Sequence, residues 1–389
     1  MSAALDKQAT ASDGALRPLA VRLVWGLLAV AACLCAAEVA ARLDDSMFHS
    51  VPFFANPQYE DLIMRDWFGR RGRPHAQFRN WKLNSLGFRG PEIALDPRQG
   101  CTRVVVMGAS ETFGYYESPE HNYSSQLADR LATQGCVEIV NTAVIGMTLG
   151  SMRPYWTYWV SRLHPAVVLI YPSPLFYLTA SQASAPASRD RPPLPAAAVS
   201  PPLAGAGQLA PEATPVHPFE SRFIKRLRGV ASSVIPRWVS MYQNEREVRA
   251  ELAAQPAAPE LRSPPPRALA NFRDDLTGLV DLIRASGARV ILLTHAQRAS
   301  LPIEPRVLPD LWEMRIWAPN TALPVFVEFD RAGNEIVREA ARQESVQLID
   351  AAAVLNGCFD CFADLNHFDD RGAQLMASLI SQQLRVTGP

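Results

Sequence analysis

A serine, an aspartate and a histidine stand in two short blocks far apart along a 389-residue chain. The first block, Gly108-Ala109-Ser110-Glu111-Thr112-Phe113-Gly114, directly follows the apolar run Val104-Val105-Val106-Met107. The second, Asp364-Leu365-Asn366-His367, lies just ahead of the last helical pattern. A serine hydroxyl is a weak nucleophile until an imidazole takes its proton. A carboxylate on the far side of the ring fixes the tautomer and stabilises the cation that forms. Ser110, His367 and Asp364 are therefore the set that serine acyl transfer requires. Most serines after a strand and a glycine simply cap helices, and a lone histidine is more often structural. The aspartate three residues before His367, on an irregular loop, favours chemistry.

A third block, Asn141-Thr142-Ala143-Val144-Ile145-Gly146, follows the second apolar run. Gly146 can bring its amide close to a substrate carbonyl, and Asn141 can fix the loop through hydrogen bonds to neighbouring backbone. A fourth stretch, Tyr171-Pro172-Ser173-Pro174-Leu175-Phe176-Tyr177, ends the third apolar run with two prolines, which remove two amides from the turn. Ser173 and His295 both fall near strand ends, and His295 reads as a satisfied strand-end histidine. Cys358 and Cys361 make one Cys-x-x-Cys pair with no further ligand cluster, which favours a local disulfide or free thiols over a metal site. Cys101 and Cys136 precede the first two strands, so parallel pairing would bring them within disulfide reach.

The order Gly-x-Ser, Asn-x-x-x-x-Gly and Asp-x-x-His before a C-terminal helix resembles the SGNH/GDSL hydrolase superfamily. Asn84–Glu92 is similar to the lead-in of its membrane-anchored bacterial members. The resemblance covers about residues 80–180 and 270–385. It implies Ser110 as nucleophile, His367 as base, Asp364 as its partner, and an oxyanion hole made by the Ser110 and Gly146 amides, with Asn141 in support. Two departures stand out. Ala109 replaces the usual aspartate before the serine, and no asparagine follows the third strand, where the family supplies a further oxyanion donor. Loss of one such donor typically costs ~10²–10³ in rate. A hydroxyl from Ser173 or a donor from the 171–177 turn is the expected supplement, with Leu175 the place to restore an amide.

The elements that must position these blocks read as alternating strands and helices. Strands are expected at Arg103–Met107, Val137–Val140, Ala166–Tyr171, Ala288–Thr294 and Val346–Asp350. Helices are expected at Tyr123–Gln134, Ser151–Leu163, Asn271–Ser286, Asn334–Gln343 and Arg371–Arg385. Short apolar strands between amphipathic helices argue for a parallel sheet covered on both faces. Five such strands suit a flavodoxin-like, doubly wound α/β fold with its site beyond the carboxyl ends of the strands. Residues 183–218 are mostly Pro, Ala, Ser and Gly and read as disordered. Glu220–Glu251 looks helical and rich in arginine, and Pro256–Pro266 reads as a loose linker. The expected map is a cytoplasmic N-terminus at 1–22, a transmembrane anchor or signal segment at 23–42 and a connecting region at 43–100. A hydrolase-like domain follows at 101–389, carrying an insertion at about 180–268.

Composition narrows the rest. Thirty-eight basic and thirty-eight acidic residues cancel, which gives no argument for nucleic acid, and an apolar content of 48% suffices for a sizeable core. Seven basic residues between Arg65 and Arg89 against one acid read as a solvated surface, with anionic headgroups or an acidic polysaccharide as the functional alternative. Leu23–Ala37 is uncharged and strongly apolar. It reads as an uncleaved anchor with Lys7, Arg17 and Arg22 on the cytoplasmic side. A cleaved signal peptide and a lipoprotein box ending at Cys33 remain open. Each places the domain outside the cytoplasm: in a bacterium, on the inner membrane and facing the periplasm or the exterior. The expected function is an extracytoplasmic serine ester hydrolase or acyl transferase acting on an ester or acylated glycan, with no cofactor and no metal. The alternative is a weak or inactive envelope protein that binds a glycan or a protein partner.

Overall fold

Five short runs of valine, leucine and isoleucine hydrogen-bond side by side in the computed structural model. These are β5 (Thr102–Met107), β6 (Val137–Asn141), β7 (Val167–Ile170), β8 (Arg289–Leu293) and β9 (Gln347–Ile349). All pair in parallel, in the order β6-β5-β7-β8-β9, which is the doubly wound arrangement expected from the pattern. The structure describes residues 2–49, 52–56, 58–66, 69–78, 80–182, 221–227, 245–246, 249–250, 253 and 260–384. The Pro/Ala-rich stretch 183–218 and most of the Pro256–Pro266 linker lie outside them, as does most of Glu220–Glu251.

The strands are apolar on both faces because helices cover both. Val105 and Met107 of β5 point into a cluster with Trp156, Phe272, Leu276 and Val337. Val104 and Val106 point the other way, against Tyr123, Leu127, Met376 and Ile380. Each fully buried side chain of this size contributes roughly 1.5–3 kcal/mol relative to exposure, so β5, buried on both faces, is firmly held in the sheet. The helices Pro266–Arg284 and Leu323–Gln343 both begin earlier than the periodicity predicts. The expected helix Ser151–Leu163 is three pieces: an α-helix Leu149–Tyr155, a π-turn Trp156–Val160 and a 3-10 turn Ser161–Leu163. Pro154 withholds an amide inside that run, and a wider turn is one way to re-satisfy the ladder.

The chain divides into two compact units. The larger takes in residues 58–214 and 235–389. Much of the stretch read as a connector therefore belongs with the sheet. It forms two antiparallel ribbons, β1 (Ile63–Asp66) with β2 (Gly69–Gly72) and β3 (Gln77–Phe78) with β4 (Trp81–Lys82). Leu62, Trp81 and Leu83 pack with Phe113 and Ala143, and the Arg89 amide donates to the Asn141 carbonyl at 3.2 Å. Disulfides join Cys101 to Cys136, across the starts of β5 and β6, and Cys358 to Cys361, ahead of the Asp364–His367 loop.

The smaller unit takes residues 1–57 and 215–234. Its main element is the helix Ser2–His49, of which Val21–Met47 is long and apolar enough to cross a membrane. Glu38, which interrupts the apolar run in sequence, accepts from the Ser221 hydroxyl at 2.7 Å and from the Phe223 amide at 3.0 Å. Arg222 reaches Asp45 at 3.0 Å. The charges at this end of the helix are thus paired with the short helical segment at residues 222–227.

Candidate active site

β5 ends at Met107, and the chain turns sharply into the four-residue helix Ser110–Phe113. Gly108 permits the turn, because a Cβ there would lie 2.0 Å from the Thr112 hydroxyl. Three hydrogen bonds, two of them to Thr112, then hold the Ser110 helix and the loop after β6 in place. Tyr123 donates its hydroxyl to Thr112 Oγ1 at 2.8 Å, Asn141 Nδ2 donates to the Thr112 carbonyl at 2.8 Å, and Asn141 Oδ1 accepts from the Ala143 amide at 3.1 Å. Asn141 thereby ties the serine turn to the loop after β6. On that loop Gly146 has φ +71° with the Arg70 guanidinium beside it, 3.2 Å from where a Cβ would stand. The left-handed conformation favours glycine there.

The Asp364–His367 loop is built around its own carboxylate. Asp364 Oδ1 accepts from the Asn366 amide at 3.1 Å and the His367 amide at 2.9 Å. His367 Nδ1 donates to the same carboxylate, 2.9 Å from Oδ1 and 2.8 Å from Oδ2. With Nδ1 carrying the proton, Nε2 is free to accept, and Ser110 Oγ donates to it at 2.9 Å. The structure thus brings together all three residues expected to carry the chemistry. Burial opposes charge on His367, but the Asp364 hydrogen bond and charge outweigh it and hold the imidazole above its usual range, with Glu111 and Glu117 adding to the effect. Asp364 is half-buried, which would raise its carboxyl, yet the His367 contact and the two amides keep it below the ordinary range.

Behind the serine, Glu111, Asn366, Ser173, His295, Asp330 and Asn334 form a group that no sequence pattern marks. Glu111, next to Ser110 and 1% exposed, points inward. Its Oε1 accepts from Asn366 Nδ2 at 2.6 Å, from the Ser173 hydroxyl at 2.9 Å and from His295 Nε2 at 3.3 Å. Its Oε2 lies 3.4 Å from Ser110 Oγ. His295 donates from Nδ1 to Asp330 Oδ1 at 2.5 Å, and Asn334 bridges Asp330 to the His295 backbone. Burial alone would neutralise these groups. His295 overrides it for Glu111, whose carboxyl sits at about 2. Asp330 first and then Glu111 override it for His295, which is raised to about 10. His295 is satisfied, as the sequence suggests, but as a buried cation between two carboxylates. The supplement expected from the 171–177 turn is corrected in one respect. Leu175 is buried in an apolar cluster with Leu178, Phe326 and Phe329. Ser173 reaches the site but gives its hydroxyl proton to Glu111.

The mouth of the site is aromatic. Tyr115 and Tyr116 lie 5.4 and 5.5 Å from the His367 ring, and Tyr115 packs on Trp81 at 4.8 Å. Beneath them Glu117 is buried, and its Oε1 has no hydrogen-bond partner among the described residues. Burial pushes its carboxyl up to about 8, against the pull of its own and the Tyr116 amides, Arg89 and His367. Among the described residues no group of three or more His, Cys, Asp and Glu side chains is placed to hold a metal ion.

No protein-family model matches the chain, and no curated protein does. Among solved structures the chain is similar to a lipolytic protein of the G-D-S-L family from Desulfitobacterium hafniense. Identity there is 14%, over 73% of this chain and 99% of that one, with a TM-score of 0.38. It is also similar to a lipase/acylhydrolase from Enterococcus faecalis, at 15% identity over 72% and 94% of the chains and a TM-score of 0.39. A third likeness is to the acetyl xylan esterase AlAXEase, at 11% identity over 73% and 100% and a TM-score of 0.41. Likenesses at this level lend no weight to an activity, which rests on the geometry of the site.

Proposed function

We propose that the chain is a membrane-anchored, extracytoplasmic serine ester hydrolase or acyl transferase of the SGNH type. The observation that carries this reading is the unbroken chain from Ser110 Oγ to His367 Nε2 at 2.9 Å and from His367 Nδ1 to Asp364 at 2.8 Å. In the reaction Ser110 attacks an ester carbonyl while His367 takes its proton, and Asp364 stabilises the imidazolium. The Ser110 and Gly146 amides meet the charge on the carbonyl oxygen. His367 then returns the proton to the departing alcohol, leaving an acyl group on Ser110. Water or a sugar hydroxyl, deprotonated in turn by His367, releases it. The exposed helix Val21–Met47 supports an anchor, and the two disulfides suit an oxidising compartment. The ring faces of Tyr115 and Tyr116 beside His367 suit the apolar face of a sugar, which favours an O-acylated envelope glycan.

The test is turnover of p-nitrophenyl acetate by the full chain in detergent. The wild type should hydrolyse it and Ser110→Ala should not. A folded wild type without turnover would end the reading. A second reading, a binding protein that keeps the fold, is favoured by one observation: the Ser173 hydroxyl is committed to Glu111, so the turn after β7 offers the oxyanion little. Glycan binding that survives both Ser110→Ala and His367→Ala, without turnover, would establish it.

A further inference from the structure

The carboxylate beside the nucleophile is the feature that the three-residue chemistry leaves unused. Glu111 follows Ser110 directly, yet its side chain is sealed within the fold and contacts residues from three strand-end segments and from the Asp364–His367 loop. It receives Asn366 from the loop of Asp364 and His367, Ser173 from the turn after β7 and His295 from the end of β8, and it flanks Ser110 after β5. A buried carboxylate without compensation would be strongly disfavoured. Here His295 compensates it, and Asp330 with Asn334 in turn holds His295. A group satisfied to this degree, one residue from the nucleophile, is more than a filler of space. An apolar side chain would fill the volume without requiring three further polar residues.

We propose that Glu111, paired with His295 and Asp330, is a positioning carboxylate for the Ser110–His367 pair. It holds the Asn366 amide, and through it the Asp364–His367 loop, at the distance the proton transfer needs. It also adds a second negative charge that favours the imidazolium formed when Ser110 attacks. Asn366 adjoins His367 in the chain, so the 2.6 Å bond from its amide to Glu111 fixes the loop immediately beside the base. This rests on the ester-hydrolase reading for its catalytic consequence, but not for its effect on His367.

The groups that bear on the His367 charge come from every neighbouring element. Asp364 lies on its own loop, and Glu111 lies on the serine helix with the His295 cation behind it. Tyr115, Tyr116 and Glu117 follow Gly114, and Arg89 acts on Glu117 from the lead-in segment. Removing the Glu111 charge alone should therefore lower the His367 titration without abolishing it.

The experiment uses the full chain in detergent with two variants, Glu111→Gln and Glu111→Asp. His367 is followed by imidazole proton resonance against pH, and turnover by p-nitrophenyl acetate. Glu111→Gln keeps the shape and loses the charge. His367 should titrate about one unit lower, the acid limb of kcat/KM should move with it, and kcat should fall ~10–100-fold with KM nearly constant. Glu111→Asp keeps the charge but draws it back from Asn366, so kcat should fall while the His367 titration stays within a few tenths of a unit. An unchanged His367 titration in Glu111→Gln, or full turnover in Glu111→Asp, would overturn the proposal. Should Glu111→Gln fail to fold, Glu111→Asp still decides. Should the wild type show no turnover, the hydrolase reading falls, and the titration alone decides this one.

Discussion

Two histidines in this fold are wired alike and serve opposite ends. His367 gives Nδ1–H to Asp364 and faces the Ser110 hydroxyl with Nε2. His295 gives Nδ1–H to Asp330 and faces the Glu111 carboxylate with Nε2. The two Nε2 partners are consecutive residues, one turned toward the mouth of the site and one turned inward. What differs is access and proton economy. The His367 side chain is 19% exposed and its partner can surrender a proton, whereas His295 and Asp330 are fully enclosed. A carboxylate–imidazole pair is therefore a base where Nε2 meets a hydroxyl near solvent, and a fixed charge where it meets a second carboxylate in the interior.

The largest effect should come from breaking each half separately. His367→Ala removes the base, and turnover should fall by ~10⁴ or more with folding stability nearly intact. His295→Ala leaves Glu111 and Asp330 as uncompensated buried charges, and unfolding free energy in denaturant should drop by about 3–5 kcal/mol. If the two variants exchanged these outcomes, the assignment of roles would be reversed.

Glu117 sharpens the comparison, because it is buried without a cation as close as His295 is to Glu111. Its pKa is raised from 4.5 to about 8, so the folded form keeps the proton that the unfolded chain loses. Stability should thus be greatest at low pH in this window. It should decline by about 1.4 kcal/mol per unit as pH rises from 4.5 toward 8, then level off. Glu117→Gln should lack that decline, so its denaturation midpoint should gain on the wild type between pH 5 and pH 8. Parallel curves would contradict the buried, protonated carboxyl. Glu111 has the opposite sign: its depressed pKa stabilises the fold above 4.5, and that contribution fades as pH falls toward 2.

A smaller effect concerns the working pH. His367 must be neutral to accept the serine proton, and its surroundings raise its pKa. The acid limb of kcat/KM should therefore lie above 6.5, the ordinary histidine value, and activity should recover fully on the alkaline side of it. An acid limb below 6.5 would remove the influence assigned to the neighbouring carboxylates.

The first half of this comparison was legible in the sequence and the second was not. Ser110 and His367 each sit in a local pattern, a strand-to-helix turn and an Asp-x-x-His loop, and the five apolar runs that carry them have a period that neighbours reveal. Glu111 carries no such signal, since an acid in the first turn of a helix is usually a favourable surface residue. Its contacts to His295 and Asn366 span 184 and 255 positions, and only the folded chain brings the end of β8 and the Asp364–His367 loop together. Leu175 misled for a related reason. Prolines on either side of Ser173 mark a turn, but they do not say which side chain of the turn faces the serine. The ribbons between Ile63 and Lys82 carry no apolar alternation in the sequence because their strands are only two to four residues long and β2 is Gly-Arg-Arg-Gly. Trp81, which backs Tyr115 at the site, lies in one of them.

The most direct measurement is the location of a fluorophosphonate adduct on the full chain in detergent, read by peptide mass. One adduct is expected, on the peptide containing Ser110, formed by the wild type and by Ser173→Ala but not by His367→Ala. A folded wild type that takes up no adduct, or one that carries it on a serine other than Ser110, would contradict it.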